Sequence, residues 1–145
     1  MIGRHPSQNV RVIGALVSPF VLMFGIYVVA HGHYGPGGGF AGGVILAVGG
    51  VIMRMTSDED ISSRLLPPSF PMIAMAVGML AFLGVGFVPT LVGEPFLDYA
   101  ATPIDGVDDA RLRYLGILVV ELAIGLVVFG GLLLIFERLA AGSRT

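Results

Sequence analysis

His31-Gly32-His33-Tyr34-Gly35-Pro36-Gly37-Gly38-Gly39-Phe40-Ala41-Gly42-Gly43 decides how this chain is organised, because it stands between two apolar runs where an ordinary loop would be polar. These thirteen residues hold seven of the twenty-two glycines and two of the three histidines. Glycine costs backbone entropy and is kept where φ must be positive or where another backbone comes close. Beside a membrane segment, such a cluster implies a backbone shaped for tight packing or for lining a polar path.

The flanking sequence places the stretch in a bilayer. Of 145 residues, 55% are hydrophobic and 12% charged, about half the share usual in soluble domains. Mean hydropathy is +0.90. With no cysteine there is no disulfide framework and no thiolate metal site. A net charge of −2 gives no reason to expect nucleic acid as a partner. The fold class expected is an all-α membrane protein of four transmembrane helices, forming one integral membrane domain over residues 1–145. The spans run over about 12–30, 37–53, 70–92 and 114–136, with an acidic loop over 93–113.

A crossing helix needs about 20 apolar residues at 1.5 Å each. The first, third and fourth runs meet this. The second meets it only if its glycines are helical, because residues 40–53 alone would reach about 21 Å. It is therefore expected to be short and glycine-interrupted at its start, with unwound backbone over Pro36, Gly37, Gly38, Gly39, Phe40, Gly42 and Gly43. Non-helical backbone at that depth needs protein or water to cover it. Arg4 and Arg11 precede the first run, as in a signal peptide, but nineteen uncharged residues exceed an ordinary signal core of about 7–15. The run is expected to stay as the first span. Six arginines (4, 11, 54, 64, 138 and 144) fall on one side and two (111 and 113) on the other, which predicts N-in and C-in.

Glu121 is the one ionisable residue deep in a span. An acid there costs about 2.5–3.5 kcal/mol on insertion scales, so it is expected to face protein or water. It can exchange a proton or hold a sodium ion as part of an ion path. The plainer alternative is a neutral carboxyl bonding one helix to another. His31 and His33 form an H-x-H pair without the further ligands a metal needs, and no metal site is expected. They suit hydrogen bonding to the backbone beside them, and as side chains that titrate near neutral pH they also suit proton transfer. Gly39, Gly43 and Ala47 recur at four-residue steps, a small-residue line that lets a neighbouring helix approach. A phosphate loop is a weak reading, since no Gly-Lys-Ser/Thr ending and no preceding strand are present, and packing fits better. Pro19 reads as a packing kink, and Met72, Met75 and Met79 as a packing stripe.

His31-Gly32-His33, Pro36-Gly37-Gly38-Gly39-Phe40 and Gly42-Gly43 together resemble the H-G-H-x-x-P-G-G-G-F-x-G-G signature of the MnhB/MrpB family, which belongs to the Mrp-type sodium/proton antiporters. Chain length, four spans, the motif after the first and an acid in the last agree with it. Gly35 stands where Ser or Thr is common and Ala41 where Gln is common, so a polar contact at those positions is not carried over. The resemblance implies a multi-pass subunit of a bacterial or archaeal inner-membrane complex, with other Mrp antiporter subunits and the lipid bilayer as partners. It implies transported Na+ and H+ but no cofactor, and no catalytic chemistry. The chain has no lysine, as suits an accessory role beside large subunits that carry a lysine and glutamate relay. Related subunits occur in complex-I-like energy-converting hydrogenases. A membrane-arm subunit of such an enzyme, or a purely structural scaffold, is the alternative.

Overall fold

The computed structural model describes residues 7–32, 38–104 and 106–142, with the side chain of Glu59 left aside. Four of its helices are long and apolar enough to cross a membrane. Helix α1 is Gln8–Ala30, α2 is Gly38–Thr56, the short α3 is Glu59–Leu65, α4 is Phe70–Phe87 and α5 is Asp109–Gly142. Among the described residues there is no strand.

Each boundary has a local cause. α1 begins four residues before the apolar run, because Gln8 to Arg11 continue the helix as a polar turn. It passes through Pro19 without ending. Pro71 is the second residue of α4, where its missing N–H would have no partner within the helix to lose. It ends at Phe87, and residues 89–92 form a 3₁₀ turn closed by Gly93 at φ 90°. α5 starts earlier than expected because Asp108 caps it: its Oδ1 accepts the N–H of Arg111 at 2.8 Å. The last five residues of the expected acidic loop are thus helical, and α5 reaches 34 residues, about 51 Å.

α2 departs most from expectation. Gly38, Gly39, Phe40, Gly42 and Gly43 are helical, and the 19-residue helix spans about 28 Å, as long as α4. Pro36 and Gly37, like His33, lie outside the described residues. Helical glycine is costly in isolation, by about 1 kcal/mol each relative to Ala, so tertiary packing must compensate.

That packing sets the four long helices in a row, α1 beside α2, α2 beside α5, and α5 beside α4. α1 and α2 run antiparallel. Leu46 fills the hollow over Gly25, Leu22 lies over Gly49, and Val29 lies over Gly42. The buried Ser18 hydroxyl donates to the Gly49 carbonyl at 3.2 Å. α2 and α5 run parallel, as the pairs Gly39/Glu121, Gly43/Gly125, Gly50/Leu133 and Arg54/Glu137 show by descending both helices together. α4 returns antiparallel to α5, with Gly78 against Ala123 and Val127, and Gly130 against Pro71 and Met75. Small residues at every crossing let backbones approach where lipid offers no hydrophobic driving force. A Cβ on Gly43 would stand 2.8 Å from the Gly125 carbonyl oxygen.

The buried cluster joins α2, α4 and α5 through Ala47, Met53, Ala74, Phe129 and Leu133, with Leu66 added from the end of α3. Of the three methionines on α4, only Met75 packs inside the chain. Met72 and Met79 are exposed, so the three do not form an internal stripe. The polypeptide after α4 folds back onto the helix ends: Phe96 sits over Gly86 with its ring 5.2 Å from Phe87, and Tyr99 sits over Gly116.

Candidate functional site

The Glu121 carboxylate meets the first turn of α2. Its Oε2 accepts the backbone N–H of Gly39. The first four N–H groups of a helix have no partner within it, and they carry its partial positive charge. A carboxylate from a neighbouring helix fits both needs. Gly32 and Gly38 press backbone to backbone beside it, and a Cβ on Gly32 would lie 3.2 Å from Glu121 Oε2. A Cβ on Gly39 would strike the Glu121 carbonyl and carboxylate. Glycine is required here by close approach.

Glu121 lies seven residues past Tyr114, where the apolar run of α5 begins, so the contact is about 10 Å inward of that point. A loop tyrosine senses its charge. Tyr99 packs its ring on Gly116, and its phenol is raised above the ordinary 10.0, first by burial and second by the Glu121 charge. Tyr99 was not apparent from the sequence, because nothing local to a loop tyrosine announces the helix it will cover.

His31 is placed differently. Its Nδ1 lies 3.0 Å from the Tyr27 carbonyl oxygen and its ring centroid 4.1 Å from that of Tyr27, so the side chain turns back along α1. Gly39, Gly43 and Ala47 face α5, whereas Gly42 faces α1. Phe40 points outward, 62% exposed, toward an apolar hollow of about 220 Å³ lined also by Val127, Val128 and Gly131.

At the other end of the α2/α5 pair, Arg54 Nη2 stands 2.7 Å from Glu137 Oε1, and Arg54 Nη1 donates to Ser62 Oγ at 3.0 Å. Both charged side chains are largely buried, 14% and 23% exposed. The contact brings charges together without an aligned hydrogen bond. In the sequence, Arg54 counted only for its sign. The available signal was that Arg54 and Glu137 each follow the apolar run of their own span on the same side.

Chemically, the Glu121 site can hold or exchange a proton at a carboxyl oxygen and can fasten α2 to α5. Among the described residues its hydrogen-bond partner is an N–H donor at the positive end of a helix, which favours a carboxylate there and offers a cation no ligand of its own. Four apolar helices in a row, joined through a carboxyl group at membrane depth, define a multi-pass membrane protein with a polar junction between two parallel spans. The chain belongs to the MnhB family: residues 9–134 match the domain described as related to the MnhB subunit of Na+/H+ antiporter. It is similar to a protein of Staphylococcus aureus strain MRSA252 provisionally named antiporter subunit mnhB2, with 31% identity over 91% of this chain and 93% of the relative. Proteins given the same name in Staphylococcus epidermidis (38% identity over 53% of this chain and 54% of the relative) and S. aureus strain Newman (35% over 63% and 64%) are also similar.

Proposed function

We propose that the chain is an accessory membrane subunit of a multisubunit Na+/H+ antiporter complex, and that Glu121 serves the proton side of its ion path while fastening α2 to α5. The antiporter assignment rests on the family and on relatives named for antiporters. The hydrogenase membrane-arm alternative is not favoured by them. The observation that carries the role of Glu121 is its contact with the Gly39 N–H about 10 Å inward of Tyr114, since a carboxyl is costly at membrane depth unless it is used. In this reading the protein has no catalytic chemistry of its own, handles Na+ and H+ without a cofactor, and sits in the cell's inner membrane with both termini inside.

The test is Na+-driven proton movement in vesicles containing the complete complex. Glu121→Gln keeps an acceptor for Gly39 but cannot exchange a proton. Loss of transport with the complex intact supports a place on the path. Unchanged transport leaves Glu121 a structural fastening only and removes the path.

A further inference from the structure

Helix α3 sits in the link from α2 to α4, at the end of the row where Arg54 meets Glu137, and three contacts fix its rotation. Arg54 Nη1 donates to Ser62 Oγ at 3.0 Å, Leu66 at the C-cap enters the buried cluster that holds Met53 and Leu133, and Asp58 at the N-cap pairs with Arg11 of α1 at 2.8 Å. Ser62 and Leu66, 4% and 9% exposed, therefore face the protein. At about 100° per residue, Asp60 and Arg64 fall on the opposite side, and both are exposed. Ile61 and Leu65 share one edge between these two sides and are 53% and 65% exposed. We propose that this edge is a membrane-surface anchor: Ile61 and Leu65 enter the lipid layer where acyl chains meet headgroups, with Asp60 and Arg64 in the water beyond.

Depth selects lipid as the occupant. The apolar run of α5 goes from Tyr114 to Phe136 and covers about 34 Å at 1.5 Å per residue, against a hydrocarbon core of about 30 Å. Glu137 is the first charge beyond that run, and Arg54, which stands against it, is also the residue that holds Ser62. α3 is thus tied to the level at which the core gives way to headgroups. There a helix with one apolar edge gains by turning that edge into the boundary while its charged side chains stay in water. The order around α3 is the one this position needs: protein contacts on one side, apolar side chains on the next, charges farthest from the row. Leaving the edge in water would keep two large aliphatic side chains hydrated beside an available apolar phase. A protein partner matches the edge less well, because two aliphatic side chains fall far short of the roughly 800 Å² that each partner buries in a stable interface. Since Arg54 holds both Ser62 and Glu137, an anchored α3 also sets the depth of that end of α2 and α5.

Because the chain has no cysteine, a single one can be labelled cleanly. Asp60→Cys, Ile61→Cys, Arg64→Cys and Leu65→Cys all replace exposed side chains and leave the packing within the chain untouched. Each full-length variant would be spin-labelled and reconstituted in vesicles of phosphatidylcholine and phosphatidylglycerol. Relaxation of the label by oxygen is then compared with relaxation by a water-soluble nickel chelate. The ratio of oxygen to chelate collisions is expected to be several-fold higher at 61 and 65 than at 60 and 64. Equal ratios at all four positions place the edge in water and overturn the proposal. Labels at 61 and 65 shielded from both reagents place it against a second copy of the chain and overturn it equally. A second arm uses native membranes, where a thiol-linked benzophenone at 61 or 65 should give lipid adducts on photolysis. Adducts with a protein in their place, or lipid adducts no stronger than from position 60, also overturn it.

Discussion

The carboxylate of Glu121 on α5 receives the backbone N–H of Gly39 in the first turn of α2, joining two helices that run in the same direction. Parallel neighbours share no connecting turn, so their register must come from contacts along their length. Here both ends are polar, Glu121 with Gly39 at one and Arg54 with Glu137 at the other, and small residues lie between. A slip of one residue would break both ends together. The pair α2/α5 is thereby the fixed part of the row, with α1 and α4 laid against its two sides.

Removing the Glu121 acceptor should destabilise the protein as loss of a helix cap does, by about 0.5–2 kcal/mol for Glu121→Ala. Glu121→Gln retains an acceptor oxygen for the Gly39 N–H and should lose less. Thermal unfolding in detergent, followed by circular dichroism, measures the order. Equal losses for the two variants would show that charge, and not acceptance of the N–H, holds the junction.

The glycines divide by what a methyl group would meet. At Gly43 it stands 2.8 Å from a backbone oxygen of α5, which cannot turn aside. Gly43→Ala should therefore cost about 1–3 kcal/mol, the usual range for overpacking. At Gly84 nothing lies within 4 Å, so Gly84→Ala should be neutral or stabilise α4 by up to about 1 kcal/mol. Unfolding midpoints for the two variants should move in opposite directions or differ clearly.

Arg54 and Glu137 should be mutually dependent. Removing one leaves the other largely buried without its counter-charge, while replacing both with apolar residues of similar size removes that penalty. Arg54→Met and Glu137→Met should each cost about 1–3 kcal/mol, below the fully buried range because both side chains keep some exposure. The double variant should be less damaged than the sum. A double-mutant cycle with purely additive losses would mean that the pair contributes nothing as a pair.

The spans were legible because apolar runs of bilayer length leave few alternatives; boundaries moved outward where polar residues extend a helix, as at Gln8 and Asp109, and inward at the end of α4, where Pro89 opens a 3₁₀ turn. Whether Gly38 to Gly43 are helical was not legible. Local propensity argues against it, and the compensating contacts come from Glu121, Gly125 and Val128, some eighty residues away in sequence. The Gly39-Gly43-Ala47 spacing showed that a helix would come close, but period alone does not name the partner or its direction. For the same reason Glu121 could be singled out as a costly acid while its contact with the glycine stretch, the packing of Tyr99 on Gly116 and the Arg54–Glu137 pair could not. Each depends on pairing between distant segments.

Tyr99 offers a view of the Glu121 site from outside the spans. Its phenol is raised above 10.0 by burial foremost, and by the Glu121 charge second. The folded protein thus holds the phenol proton more tightly than the unfolded chain does. The sign follows: this contribution to stability is whole below the ordinary phenol value and is lost as pH rises through the raised one. Ultraviolet difference titration should show a tyrosine phase later than that of a free phenol, and Tyr99→Phe should remove it. Glu121→Gln should move it part of the way back and no further, since burial on Gly116 persists. Above pH 10, the stability of Tyr99→Phe should also fall less steeply than that of the unaltered protein. If Glu121→Gln leaves the late phase where it was, the Glu121 charge does not reach Tyr99.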